Sequence, residues 1–106
     1  MDIELTIAER LGLLALLPRE GNLTTVRIVQ QLRLELSFSE EEHAALQFQA
    51  DADDMLRWNP EADVTKTVSF GAKAMQTIQD KLAELSKAGK LRVEHLSLCD
   101  KFGVED

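Results

Sequence analysis

Two histidines, one cysteine and two runs of carboxylates are the places in this sequence where side-chain type and spacing suggest chemistry. His43 follows Glu40, Glu41 and Glu42, and His95 stands in Glu94-His95-Leu96. Acid–base or nucleophilic catalysis needs a nucleophile and an orienting partner within hydrogen-bond reach of the imidazole. No serine or second cysteine stands at a spacing that would supply one, so both histidines read as structural or surface residues. Cys99 lies among Leu96, Leu98 and Phe102 beside Asp100. A reactive thiol wants a basic neighbourhood, and this one reads as a small buried hydrophobe.

The carboxylates invite a metal at two places. Glu40, Glu42 and His43 sit on one helical turn, where ligands rarely converge without a second element. Asp51, Asp53 and Asp54 begin like a calcium loop, but glycine is missing at the sixth position from Asp51 and glutamate at the twelfth. The glycines stand alone, so no phosphate-binding loop is present. The expectation is a protein that is not an enzyme, with no cofactor and no metal.

Elements that would position a binding surface are legible from periodicity. Thr6-x-x-Glu9 is a capping box that opens a helix carrying Ile7, Leu11, Leu14 and Leu17, widened by Leu13 and Leu16 and closed by Pro18. After a loop at Pro18-Arg19-Glu20-Gly21-Asn22, Thr24 or Thr25 would cap a second helix with Val26, Ile28, Val29, Leu32 and Leu36 inward. Its outer face would show Arg27, Gln30, Gln31, Arg33 and Glu35. Ser39-x-x-Glu42 is a second capping box and starts a short third helix. Its three glutamates suit the positive end of the helix dipole.

From Leu46 to Ala50 the pattern turns toward alternation. Asp51-Ala52-Asp53-Asp54 reads as a turn, Met55 to Trp58 as a strand, Asn59 to Asp63 as a turn and Val64 to Phe70 as another strand. Ser69 and Gly71 open a longer helix with Met75, Ile78, Leu82 and Leu85 as its stripe and Gly89 as its stop. A final helix from about Val93 to Phe102 would bury Leu96, Cys99 and Phe102. The fold class is α+β, mostly α: two to three N-terminal helices, a small antiparallel β-hairpin or three-stranded sheet, and two C-terminal helices.

The 106 residues suit one domain, 1–106, and 44% hydrophobic content is enough for an ordinary core. Met1-Asp2-Ile3-Glu4 lacks the basic start of a signal peptide, and no apolar run approaches the ~20 residues of a membrane span. A cytoplasmic protein without membrane contact is the expectation. A formal net charge of −7 disfavours a broad nucleic-acid footprint and permits a basic protein partner.

Helices followed by a hairpin outline a winged helix, whose third helix would enter the major groove. Here that helix begins Ser39-Glu40-Glu41-Glu42, which phosphates would repel. Nucleic-acid contact would instead fall to Arg19, Arg27 and Arg33. The single tryptophan, Trp58, stands beside Arg57 on the expected hairpin, and tryptophan is enriched where proteins meet.

Several stretches are similar to small uncharacterised proteins encoded in tailed-bacteriophage (siphophage) and prophage genomes. They are Leu5-Thr6-Ile7-Ala8-Glu9-Arg10-Leu11, Leu17-Pro18-Arg19-Glu20-Gly21-Asn22, Leu36-Ser37-Phe38-Ser39-Glu40-Glu41-Glu42 and His95-Leu96-Ser97-Leu98-Cys99-Asp100-Lys101-Phe102. The resemblance implies a phage origin and a bacterial host cell, and brings no catalytic residues. The function expected is that of a phage accessory or regulatory protein that binds a host or phage protein, or itself, through Trp58 and Arg57. A winged-helix DNA-binding regulator and a virion structural or assembly protein are the alternatives.

Overall fold

Asp2–Leu5 form a strand, β1, that the sequence reading passed over although its alternation is plain: Ile3 and Leu5 are buried, Asp2 and Glu4 exposed. In the computed structural model, which describes residues 1–52, 56–62 and 64–104, β1 pairs antiparallel with β4 (Lys66–Ser69). Ile3 lies opposite Val68 and Leu5 opposite Lys66. The Met1 amino group donates to the Phe70 carbonyl at 2.8 Å and the Phe70 N–H returns the bond at 2.8 Å, extending the ladder past both strands.

The hairpin expected between Met55–Trp58 and Val64–Phe70 does not form. β3 (Leu56–Arg57) pairs instead with β2 (Gln49–Ala50), where alternation near Leu46–Ala50 had hinted at a strand. A 3-10 turn at Pro60–Ala62 separates β3 from β4, which finds its partner at the far end of the sequence. Met55, Asp53 and Asp54, which completed the expected strand and turn, lie outside the described residues. Among the described residues, two small antiparallel sheets and five helices give an α+β, mostly α fold.

α1 (Ile7–Leu16) opens on the expected capping box, with the Thr6 hydroxyl accepting from Glu9 N–H at 3.2 Å. α2 (Leu23–Leu36) is capped by Asn22, whose side chain accepts from Thr25 N–H at 2.9 Å; Thr24 and Thr25 lie inside the helix. Asparagine is among the best N-cap residues, which moves the start ahead of both threonines. Val26, expected inward, is 43% exposed. α3 (Glu40–Leu46) starts on its capping box at Ser39, as read.

α4 (Ala72–Lys87) runs to a stop at Gly89, whose φ of +67° is the left-handed conformation glycine adopts without steric cost. A 3-10 turn at Val93–His95 leads into α5 (Leu96–Phe102). Leu96, expected in the core, is 56% exposed; Leu98, Cys99 and Phe102 face inward.

The sheet lays Ile3, Leu5, Val68 and Phe70 on one core shared with Leu13 and Leu16 of α1, Val29, Leu32 and Leu36 of α2, Ile78 and Leu82 of α4, and Leu98 and Phe102 of α5. Phe70 and Phe102 meet edge to face with centroids 5.2 Å apart. Val64 and Lys66, on the same side of the alternation as Val68 and Phe70, are exposed, so the buried face begins at Val68.

One charged clip crosses this body. Lys101 of α5 donates to the Glu9 carboxylate at 2.7 Å and to the Glu4 carbonyl at 2.6 Å. Burial pushes the Glu9 carboxyl up, but bonds from Lys101 and the Thr6 N–H outweigh it and hold the group below its ordinary range. Among the described residues no helix is long and apolar enough to cross a membrane.

Candidate functional site

Arg10 stands three residues after Ile7 and three before Leu13, a position that points into the protein. Its side chain is fully buried. A guanidinium removed from water must have its donors satisfied, and this one is met from three directions. Nε donates to the Leu36 carbonyl at 3.2 Å and Nη2 to the Ser37 carbonyl at 2.7 Å, two acceptors that the end of α2 leaves without helical partners. Nη1 and Nη2 fork onto Glu42 of α3 at 2.5 and 3.3 Å. The guanidinium carbon lies 4.0 Å from the centre of the Phe38 ring.

Glu42 carries a second duty, as the Glu of the α3 capping box. It accepts from the Ser39 N–H at 3.0 Å while its own N–H donates to the Ser39 hydroxyl at 3.1 Å. The Arg10 bond, helped by the Ser39 N–H against the cost of burial, holds its carboxyl down to about 2. One arginine thus fixes the end of α2, the start of α3 and the ring between them.

Beyond that anchor the aromatic residues form a row. Phe38 meets Phe48 at 5.1 Å and His43 at 6.0 Å, His43 meets Phe48 at 5.6 Å, and Phe48 meets Trp58 at 6.1 Å, all near edge to face. Phe38, Phe48 and Trp58 are half-buried and His43 is exposed, so the row remains open to water. It is carried by the turn after α3, where Gln47 takes the left-handed conformation at φ +50° and sends the chain into β2. The Asn59 N–H donates to the Leu46 carbonyl at 2.7 Å and ties the far side of the hairpin to α3. Among the described residues, Leu46 is the one buried apolar side chain of this lobe.

Charge is distributed as unevenly as the rings. Residues 40–63 hold eight Asp and Glu against Arg57 alone, a net −7 equal to that of the whole chain, so the other residues balance at eleven of each sign. Against α3, a groove of about 320 Å³ is lined by apolar Ile7, Ala45, Leu46 and Val64 together with Glu41 and Glu42.

Of the residues singled out from sequence, Trp58 sits at the end of the aromatic row just past β3. Arg57 is exposed and pairs with Asp51 at 2.8 Å, across the mouth of the hairpin. Arg19 and Arg33 line one groove of about 470 Å³ with Val26 and Gln30, while Arg27 lies outside it on the exposed face of α2. His95 accepts from the Arg92 N–H through Nδ1, a local turn contact. Cys99 is buried. Among the described residues no group of three or more His, Cys, Asp and Glu side chains converges as metal ligands would.

Sequence reasoning missed Arg10, Phe38 and Phe48, and gave Glu42 only its capping role. The signal for Arg10 was a charge at an apolar-stripe position of α1; for the phenylalanines no periodic signal exists, because each lies in a connection.

No family model, curated protein or solved structure matches this chain significantly, so its functional reading rests on the acidic aromatic lobe and the arginine that anchors it.

Proposed function

We infer that this protein is a non-catalytic binding module whose working surface is the lobe formed by α3 and the β2–β3 hairpin, and that the surface takes a basic protein partner. The observation that carries this reading is the half-exposed row Phe38–Phe48–Trp58 on a segment with the entire net charge of the chain. Aromatic side chains contribute large contact area at small cost in side-chain entropy, and a field of one sign speeds and orients the approach of a partner of the other. Arg10 holds the lobe in place, so little ordering remains to be done on binding. The resemblance to phage-encoded proteins directs the search for that partner to bacterial cells, as an accessory or regulatory interaction.

A tagged pull-down from nuclease-treated bacterial lysate, infected and uninfected, compares the wild type with Trp58→Ala. A stoichiometric basic protein recovered by the wild type and lost with Trp58→Ala, at unchanged helical circular dichroism, supports the reading. Retention of the same protein by Trp58→Ala, or unfolding of the variant, refutes the role given to Trp58. The winged-helix alternative has less support: α3 presents Glu40 and Glu41 to solvent, and β4 pairs with β1 and not with β3 to make a wing. A virion role would place the protein in purified particles.

A further inference from the structure

Six arginines occur in the chain, and they fall into two sets. Arg10, Arg57 and Arg92 each pair with a carboxylate. Arg19, Arg27 and Arg33 pair with none among the described residues, in a chain where acids outnumber bases by seven. All three belong to α2 or the loop before it.

Helical spacing places them deliberately. At 3.6 residues per turn, Arg33, Val26, Gln30, Leu23, Leu34 and Arg27 succeed one another across an arc of about 120° on the side of α2 away from the core. Leu23 is 67% and Leu34 70% exposed, so the arc is an apolar strip with a guanidinium on each flank. Arg19 faces Arg33 across the groove that borders it.

The complement of that surface is present in the same molecule. The lobe groove is lined by apolar side chains with Glu41 and Glu42 among them, and the same lobe carries the half-exposed aromatic row. Among the described residues no ion pair joins the two surfaces within one chain. A second copy can supply the complement that each surface does not meet in its own chain.

We propose that the exposed face of α2, with Arg19, docks the acidic lobe of a second copy of this chain. The proposal rests on the reading of the lobe as a binding surface and adds the surface that receives it. Because the two patches differ, the contact is head-to-tail, and an open assembly keeps one free patch of each kind, at opposite ends, unless a ring closes. The charge pairing makes association strongest at low salt, where the field of the lobe extends furthest.

The test is light-scattering mass across a dilution series of the full chain, at about 25 mM salt, where screening acts over roughly 20 Å, and at about 0.5 M, where it acts over a few ångströms. The expected result is a mass that climbs with concentration at low salt to at least twice the 11.9 kDa of the monomer and returns to it at high salt. Two charge-reversed proteins, Arg19→Glu with Arg27→Glu and Glu41→Lys with Glu61→Lys, should each stay monomeric alone and associate when mixed. All four positions are exposed, and circular dichroism checks the fold. Leu34→Glu tests the same face without touching an arginine and should also remain monomeric.

A wild type that is monomeric at every concentration and salt overturns the proposal, as do reversed proteins that still associate alone or fail to associate when mixed. A low-salt shift of duplex DNA that Arg19→Glu with Arg27→Glu abolishes, in a protein that never self-associates, would assign the face to nucleic acid. The arginine reversal leaves the lobe untouched. In the wild type, self-association without partner capture would therefore sink the lobe's outside partner alone, and partner capture without self-association would sink only the α2 contact.

Discussion

The body and the lobe of this protein solve the problem of holding a side-chain cluster together in opposite ways. The body buries its two phenylalanines, Phe70 and Phe102, in a core fed by two strands and four helices, and its formal charges cancel. The lobe carries the remaining three aromatic residues half open to water, covers Leu46, and has a formal net charge of −7 over residues 40–63. Apolar burial stabilises the first; a single buried guanidinium fixes the second. The difference teaches where evolution has kept surface in reserve: a region stabilised by one ionic anchor can leave its rings exposed for another molecule.

The comparison is sharpened most by its largest expected effects. Leu82→Ala removes a fully buried side chain from the body and should lower the stability measured by urea unfolding by about 2–5 kcal/mol, through lost transfer energy and the cavity left behind. Arg10→Met should lower it by about 2–3 kcal/mol, since the Leu36 and Ser37 carbonyls lose their donors. Glu42 is left near the surface, where water relieves part of the penalty of breaking a buried pair. Amide exchange should then quicken in α3 and the hairpin ahead of the body. Uniform quickening would mean that the two regions are one cooperative unit.

Acid offers a reversible version of the same break. The carboxyl of Glu42 sits near 2 in the folded protein against an ordinary 4.5, so its contribution is complete above about 4.5 and is lost as pH falls toward 2. Glu42→Gln should flatten that part of the stability–pH curve; an unchanged acid limb would move the dependence to other carboxylates. Trp58→Ala should have the smallest effect, about 1 kcal/mol, the scale of one aromatic contact plus partial exposure. A loss larger than that of Arg10→Met would make Trp58 a keystone of the lobe and remove the case for it as a contact residue.

What the sequence made legible follows from the range of the interactions. Capping boxes at Thr6–Glu9 and Ser39–Glu42 and the glycine stop at Gly89 are written within a few residues, and all three stand as read. Strand pairing is not local. β4 joins β1 across more than sixty positions, and nothing in Val64–Phe70 distinguishes that partner from the nearer β3. The candidate site divides the same way. Trp58 drew attention by its type, whereas Arg10 gains its meaning only when α1 packs against the end of α2. Phe38 and Phe48, in connections, have no period to betray them. Leu96 and Val26 illustrate the reverse error, apolar residues that periodicity assigned inward and that packing leaves on the surface.

Every bond that the Arg10 side chain donates spans between 26 and 32 positions of chain, and each needs α1 and α2 already side by side. The anchor can therefore close only after that helix pair has packed. Its loss should appear almost wholly as faster unfolding, with the refolding rate little changed, while Leu82→Ala slows refolding as well. In a newly made chain the lobe would be fixed only once α1 and α2 have packed, so its rings stay fully solvent-accessible until that step.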